Sequence, residues 1–137
     1  MPSWHAEHRP TRLDEAKKAF FEAIPDGTVD LRPAGDLLPG DWWRLEEEGK
    51  VVGYGWMDVT WGDAQILLAV APGAQRKGYG AQILDHLEAE AKKQGLRYLF
   101  NTIPAGHPDV EGARGFLEAN GFEGSGLDGM LLRRKVG

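Results

Sequence analysis

The residues with the clearest chemical spacing form the glycine-rich turn Gln75-Arg76-Lys77-Gly78-Tyr79-Gly80. It follows the apolar run Ile66-Leu67-Leu68-Ala69-Val70-Ala71, through Pro72-Gly73-Ala74, and opens a helical pattern. Successive main-chain N–H groups in such a turn surround an anion, and a helix beginning there adds the positive end of its dipole. Gly78 and Gly80 let oxygens approach backbone that a side chain would cover. Arg76 and Lys77 add compensating charge. The chemistry is that of a phosphate or pyrophosphate cradle; the competing reading is a tight turn that needs glycine only for its conformation. The segment lacks the lysine and following serine or threonine of a P-loop, and its glycines are not spaced as the dinucleotide fingerprint.

The elements that must hold this turn can be read outward from it. The run 64–71 is almost continuously apolar, as in a strand covered on both faces. A helix over 78–94 carries the stripe Ile83, Leu84, Leu87 and Ala91, with Gly95 as its C-cap and His86 on its surface. A strand over 97–103 follows, then a loop from Pro104 to Asp109. A short helix marked by Val110, Ala113, Phe116 and Leu117 closes at Asn120-Gly121. The last strand is expected over 130–134, after turns at 124–129. Upstream, strands 42–47 and 50–59 flank the hairpin turn Glu48-Gly49, and Gly53 and Gly55 suggest a bulge or a close backbone approach. Thr11 and Asp14 read as a capping box for a helix over 11–24 that Pro25 stops. Val29-Asp30-Leu31 reads as a short extended piece before an irregular stretch to Asp41. Trp42, Trp43, Trp56 and Trp61 are assigned to core or rim packing. The order predicts one α/β (α+β) domain over 1–137, with a mixed, mostly antiparallel twisted sheet flanked by helices.

Composition removes several chemistries. The chain has 137 residues and no cysteine, which excludes disulfides, thiolate nucleophiles and cysteine-ligated metals. His5, His8, His86 and His107 form no ligand pattern, so no metal is expected; His5 and His8 are assigned to a loose terminus. The formal net charge of -5 argues against nucleic acid as a partner. No apolar stretch is long enough to span a bilayer, and no apolar signal segment precedes the charged residues near the N-terminus, so a cytoplasmic location without membrane association is expected.

Taken together, these motifs resemble the GCN5-related N-acetyltransferase (GNAT) superfamily. Gln75-x-x-Gly78-x-Gly80 is similar to that family's signature between its fourth strand and third helix. The segment from Ala113 to Phe122 resembles its fourth helix and closing Gly-Phe, and Lys50 to Gly55 its third strand. The likeness runs from about Trp42 to Phe122, leaving residues 1–41 divergent. The resemblance implies a splayed central strand pair, 64–71 against 97–103. Coenzyme A pantetheine is expected along the first strand, hydrogen-bonded near Ala69 and Val70. Its pyrophosphate is expected over Gln75, Arg76, Lys77, Gly78, Tyr79 and Gly80, with Ala81 at the helix start. The implied activity is transfer of an acetyl group from acetyl-coenzyme A, as cosubstrate, to an amine that attacks directly.

The usual proton-transfer groups are missing. Leu117 stands where the family often has a tyrosine, Val110 where it often has an asparagine, and Ile66, Leu67 and Leu68 supply no base carboxylate. Two residues are candidates for catalytic roles. His107, in the loop at the expected cleft mouth, carries an imidazole suited to neutral pH. Asn101, on the strand facing the pantetheine strand, can orient a water or the acceptor, or simply mark the strand opening. Asp109 and Glu111 divide between catalysis and capping the next helix. The expected acceptor is a small-molecule or peptide amine, drawn if cationic toward Glu46, Glu47, Glu48 or Asp58, and a homodimer is a further expectation. The missing tyrosine and carboxylate also motivate a different class, a non-catalytic acyl-coenzyme A binding or sensor module.

Overall fold

The computed structural model describes residues 2–7, 11–24, 36–38, 40–74, 78–103, 106–125 and 131–136. The described elements run β1 (Ser3–Ala6), α1 (Glu15–Glu22), β2 (Asp41–Glu47), β3 (Lys50–Thr60), β4 (Asp63–Val70), α2 (Tyr79–Lys93), β5 (Tyr98–Thr102), α3 (Val110–Ala119), β6 (Glu123–Ser125) and β7 (Leu131–Lys135). They form one seven-stranded sheet of order β1-β2-β3-β4-β5-β7-β6. Every neighbouring pair is antiparallel except β4 and β5, which run parallel. This is the mixed, mostly antiparallel sheet flanked by helices that the sequence predicts.

Alternation along the strands divides the core in two. On one face Leu45, Met57, Ala64, Ile66, Leu99 and Leu132 belong to a cluster with Ile83, Leu84, Leu87 and Ala91 of α2. On the other, Trp42, Tyr54, Trp56 and Ala69 cluster with Ile24, Leu38 and the partly buried Phe20 and Phe21. Both sequence readings of the β3 glycines hold. Leu45 pairs with Gly53 but Glu46 with Val51, so Val52 is an extra residue in the ladder. A Cβ on Gly53 would lie 2.8 Å from Ile83 Cδ1, and one on Gly55 2.5 Å from Ile83 Cγ2. The missing side chains therefore seat α2 directly on β3.

Several expectations need correction. Helix α1 starts at Glu15, with Asp14 as its N-cap accepting from Lys17 N–H at 2.9 Å. Thr11 cannot cap it, because its carbonyl accepts from Leu38 N–H at 2.8 Å and Arg12 bridges to Leu37, which holds this stretch extended. His5 lies in strand β1, paired opposite Arg44 of β2. His86 is half-buried, stacked on Trp4 with ring centroids 4.1 Å apart and edge-on to Trp43 at 5.5 Å. Among the described residues Trp61 has no packing partner: it is 98% exposed at the tip of the β3–β4 hairpin. With Trp61 at φ 50 and Gly62 at φ 85, both tip residues are left-handed, the geometry favoured by twisted hairpins. Strand β6 occupies part of the stretch assigned to turns, and pairs with β7, which runs from Leu131 to Lys135. Val29-Asp30-Leu31, His8 and Met130 lie outside the described residues.

Candidate functional site

Strands β4 and β5 share only the rungs Ala64↔Leu99 and Gln65↔Phe100 among the described residues. At the next position the Asn101 side chain replaces the ladder: Nδ2 donates to the Ile66 carbonyl at 2.8 Å. Beyond this point the strands part. The direction of each main-chain group on β4 follows from its neighbours. Ala71 N–H donates to Val52 of β3, and the Ala69 carbonyl lies 3.0 Å from where a Cβ on Gly53 would stand. Ala69 and Ala71 thus face β3, whereas Ile66 faces β5; by alternation Leu68 and Val70 direct N–H and C=O into the gap. Ala69 still lines the opening, but the gap-facing main chain near it belongs to Leu68 and Val70.

The gap widens into a cleft of about 660 Å³ that Leu67 to Val70 border on one side and Asn101, Thr102 and Ile103 on the other. Gly78, Tyr79, Gly80 and Ala81 form one end of its wall. Gly78 is the N-cap of α2 at φ 80, and no side chain among the described residues caps the helix. The first helical bond runs from Gln82 N–H to the Gly78 carbonyl, leaving the preceding N–H groups of Tyr79, Gly80 and Ala81 at an uncapped terminus. No acidic residue occupies the first turn. The residues present suit an anionic group in both charge and hydrogen-bond capacity.

The two glycines of the turn serve different needs. A Cβ on Gly78 would meet nothing within 4 Å, so its requirement is the left-handed φ of 80. A Cβ on Gly80 would lie 2.8 Å from Phe116 Cζ, so Gly80 allows α2 and α3 to touch. Gln75, Arg76 and Lys77 lie outside the described residues. Tyr79 is buried, and its hydroxyl donates to Glu47 Oε2, a bond that raises the phenol's pKa. Glu46 is held by Arg44 at 2.5 Å, and neither it nor Glu47, Glu48 or Asp58 lines the cleft.

His107 and Asn101 both border the cleft. His107 Nδ1 accepts the Asp109 N–H at 2.8 Å. That bond requires an unprotonated Nδ1, so the neutral ring carries its hydrogen on Nε2 and presents a donor rather than a base. Asp109 Oδ1 in turn accepts from Gly112 N–H at 3.0 Å, making Asp109 the cap of α3. Gly112 is needed there, since its Cβ would lie 2.1 Å from Asp109 Oδ2. Glu111 stands in the first turn of α3 and is not part of the cleft wall. Leu117 is, at 5% exposure, so the wall is apolar at that position. The sequence reading does not single out Thr102 or Ile24, which also line the cleft. Thr102 has a weak sequence signal as a polar end to an apolar strand; Ile24 has none. No group of three or more His, Cys, Asp and Glu side chains suited to a metal occurs among the described residues. No described helix is long and apolar enough to cross a membrane.

A sheet that opens between its two parallel strands beside an uncapped helix defines an acetyltransferase fold of the GNAT type. The chain belongs to this family: residues 39–124, more than half its length, match the acetyltransferase (GNAT) domain. Family membership supports acetyl-coenzyme A-dependent acetyl transfer as the general activity. No curated protein matches the chain significantly. Among solved structures, an N-acetyltransferase from Staphylococcus aureus Mu50 superposes with a TM-score of 0.74 at 18% identity, over 100% of this chain and 99% of that one. The ribosomal-protein-S18-alanine N-acetyltransferase of Escherichia coli gives 0.63 at 19% identity, covering 99% and 94%. N-acetylglutamate synthase from Neisseria gonorrhoeae, complexed with coenzyme A and N-acetyl-glutamate, gives 0.74 at 21% identity; the match takes in 100% of this chain but 35% of that one. At these identities the likeness is one of fold.

Proposed function

We propose that the chain transfers an acetyl group from acetyl-coenzyme A to an amine, small-molecule or peptide, which attacks the acyl carbon directly while both partners are bound. The observation that carries this reading is the parting of β4 from β5 beside the uncapped start of α2. Leu68 and Val70 present main-chain donors and acceptors along the gap, suited to the amides of a pantetheine arm, with Ala69 in the wall beside them. The pyrophosphate belongs at the turn from Gln75 to Ala81, against the N–H groups of Tyr79, Gly80 and Ala81. His107, with hydrogen on Nε2, supports charge developing in the cleft as a hydrogen-bond donor. The chain's contribution is then to position two reactants and exclude competing water, with proton movement left to solvent.

The test is incubation with labelled acetyl-coenzyme A and a broad amine panel, products identified by mass, alongside calorimetric binding of the donor. Ala81→Glu is the matched control, because an acid in the first helical turn suits the helix dipole but repels phosphate. We expect acetylated product from the native chain, and donor affinity lowered on the order of tenfold or more in the variant. Tight binding without turnover on any amine would instead favour a non-catalytic acyl-coenzyme A binding module.

A further inference from the structure

The Asn101 carboxamide sits at the closed end of the cleft, one position past the last β4–β5 rung. Its orientation is fixed by chemistry. The Ile66 carbonyl only accepts, so the atom 2.8 Å from it is the NH2 group, and Oδ1 points away. Among the described residues Oδ1 has no hydrogen-bond partner, while the residue is half-buried in the cleft wall. An oriented acceptor at the vertex of a cleft, unused by the fold, is available to a ligand.

What reaches the vertex follows from distance. Ile66 lies four positions before Val70, which is beside the anion-binding end, roughly 13 Å of extended strand. A donor whose phosphates lie at the start of α2 and whose arm follows β4 brings its far end, the acyl thioester, toward Ile66 and Asn101. The N–H group in need of an acceptor there is that of the attacking amine.

Resting on the proposed acetyl transfer, we infer that Asn101 Oδ1 accepts one N–H of the acceptor amine and so turns the nitrogen lone pair toward the acyl carbon. In the step, the N–C bond forms and the C–S bond breaks with its electron pair on sulfur. The proton lost by nitrogen is carried to the sulfur by water. Oδ1 takes no proton; it holds the other N–H throughout. The recognised acceptor is therefore a neutral primary amine, the form that offers a lone pair, an N–H for Asn101 and a proton to lose. A carbonyl oxygen orients this group without the charge that would favour the unreactive ammonium ion.

The test compares native chain, Asn101→Leu and Asn101→Asp in acetyl-coenzyme A affinity, kcat and KM for a primary amine, and melting temperature. Asn101→Leu is expected to keep donor affinity within about twofold while kcat/KM for the amine falls on the order of tenfold to a hundredfold. Asn101→Asp, which retains an acceptor oxygen, is expected to recover part of that loss. Amine kcat/KM unchanged in Asn101→Leu would overturn the assignment. So would equal loss of donor affinity and transfer in both variants, which would make Asn101 only a pin for the strand separation. A native chain that binds the donor but acetylates no amine would remove the proposed function itself, and this assignment with it.

Discussion

The two faces of the sheet are held by different physics. On the α2 face, Leu45, Met57, Ala64, Ile66, Leu99 and Leu132 meet Ile83, Leu84, Leu87 and Ala91, and none is more than 1% exposed. This is close aliphatic packing, with α2 drawn onto Gly53 and Gly55. On the α1 face the contacts are aromatic and ionic. Trp42 and Trp56 stack at 4.2 Å, with Phe21 edge-on to both, and Phe20 meets Tyr54 edge-on at 4.9 Å. Beneath them Lys17, its side chain 3% exposed, pairs with Glu7 at 2.9 Å and Asp14 at 3.0 Å; Glu7 also binds Arg44 at 2.8 Å. An isolated helix of 8 residues such as α1 is marginal, so these contacts are what hold it. The contrast assigns tasks. The aliphatic face fixes the start of α2 against β4, where the donor is proposed to bind; the α1 face includes Ile24, which lines the same cleft.

The largest expected effect separates these tasks. Lys17→Ala leaves two acids without their buried cation, a loss of about 3 kcal/mol by denaturant unfolding, at the low end for such pairs because Glu7 keeps Arg44. Yet acetyl-coenzyme A affinity should barely change. Gly55→Ala is expected to be milder in stability, about 1–3 kcal/mol, because its Cβ must displace Ile83 from 2.5 Å. It should nevertheless weaken the donor more than Lys17→Ala does, because Ile83 belongs to the helix whose first turn borders the cleft. Equal effects on donor affinity would break the division between the faces.

The same contrast shows what the sequence makes legible. The β2–β3 hairpin and the α2 stripe can be read because each is a local pattern: alternation about Glu48-Gly49, and a 3.6-residue repeat ending at Gly95. The proposed donor side is read in the same way, from a glycine turn between two such patterns. What escapes depends on residues distant in the chain. Strand β1 has no strong alternation of its own and is fixed by pairing with β2 and by Trp4 against His86. The need for glycine at position 80 is set by Phe116, and the capping role of Asp14 depends on residues 36–38 holding 11–13 extended. Register, rather than composition, turns Leu68 and Val70 toward the gap and Ala69 toward β3. The roles proposed for Asn101 and His107 rest on which of their atoms the backbone already occupies, information that residue type alone does not carry.

The smallest expected effect concerns pH, and it too differs between the faces. On the α2 face, burial holds the His86 imidazole below its ordinary value of 6.5; nearby Glu90 opposes this and Lys93 adds to it. The ring lies against Trp4 of β1 and Trp43 of β2, with Glu90 Oε1 4.0 Å from Nε2. The unfolded chain therefore binds this proton at a higher pH than the folded chain, so the stabilisation is complete above about 6.5 and is lost as pH falls below it. On the α1 face, burial pushes the Asp14 carboxyl up, but the Lys17 main-chain and side-chain hydrogen bonds and charge outweigh it and hold it below its ordinary value. That stabilisation persists above the ordinary carboxylate range and fades only as pH falls through the lowered value. Melting temperature should therefore fall in two separate windows on acidification. His86→Gln is expected to flatten the dependence just below 6.5 and leave the carboxylate window intact, whereas Lys17→Met should do the reverse. A His86→Gln curve parallel to the native one throughout would show that the Trp4–His86–Trp43 contact does not carry the first window.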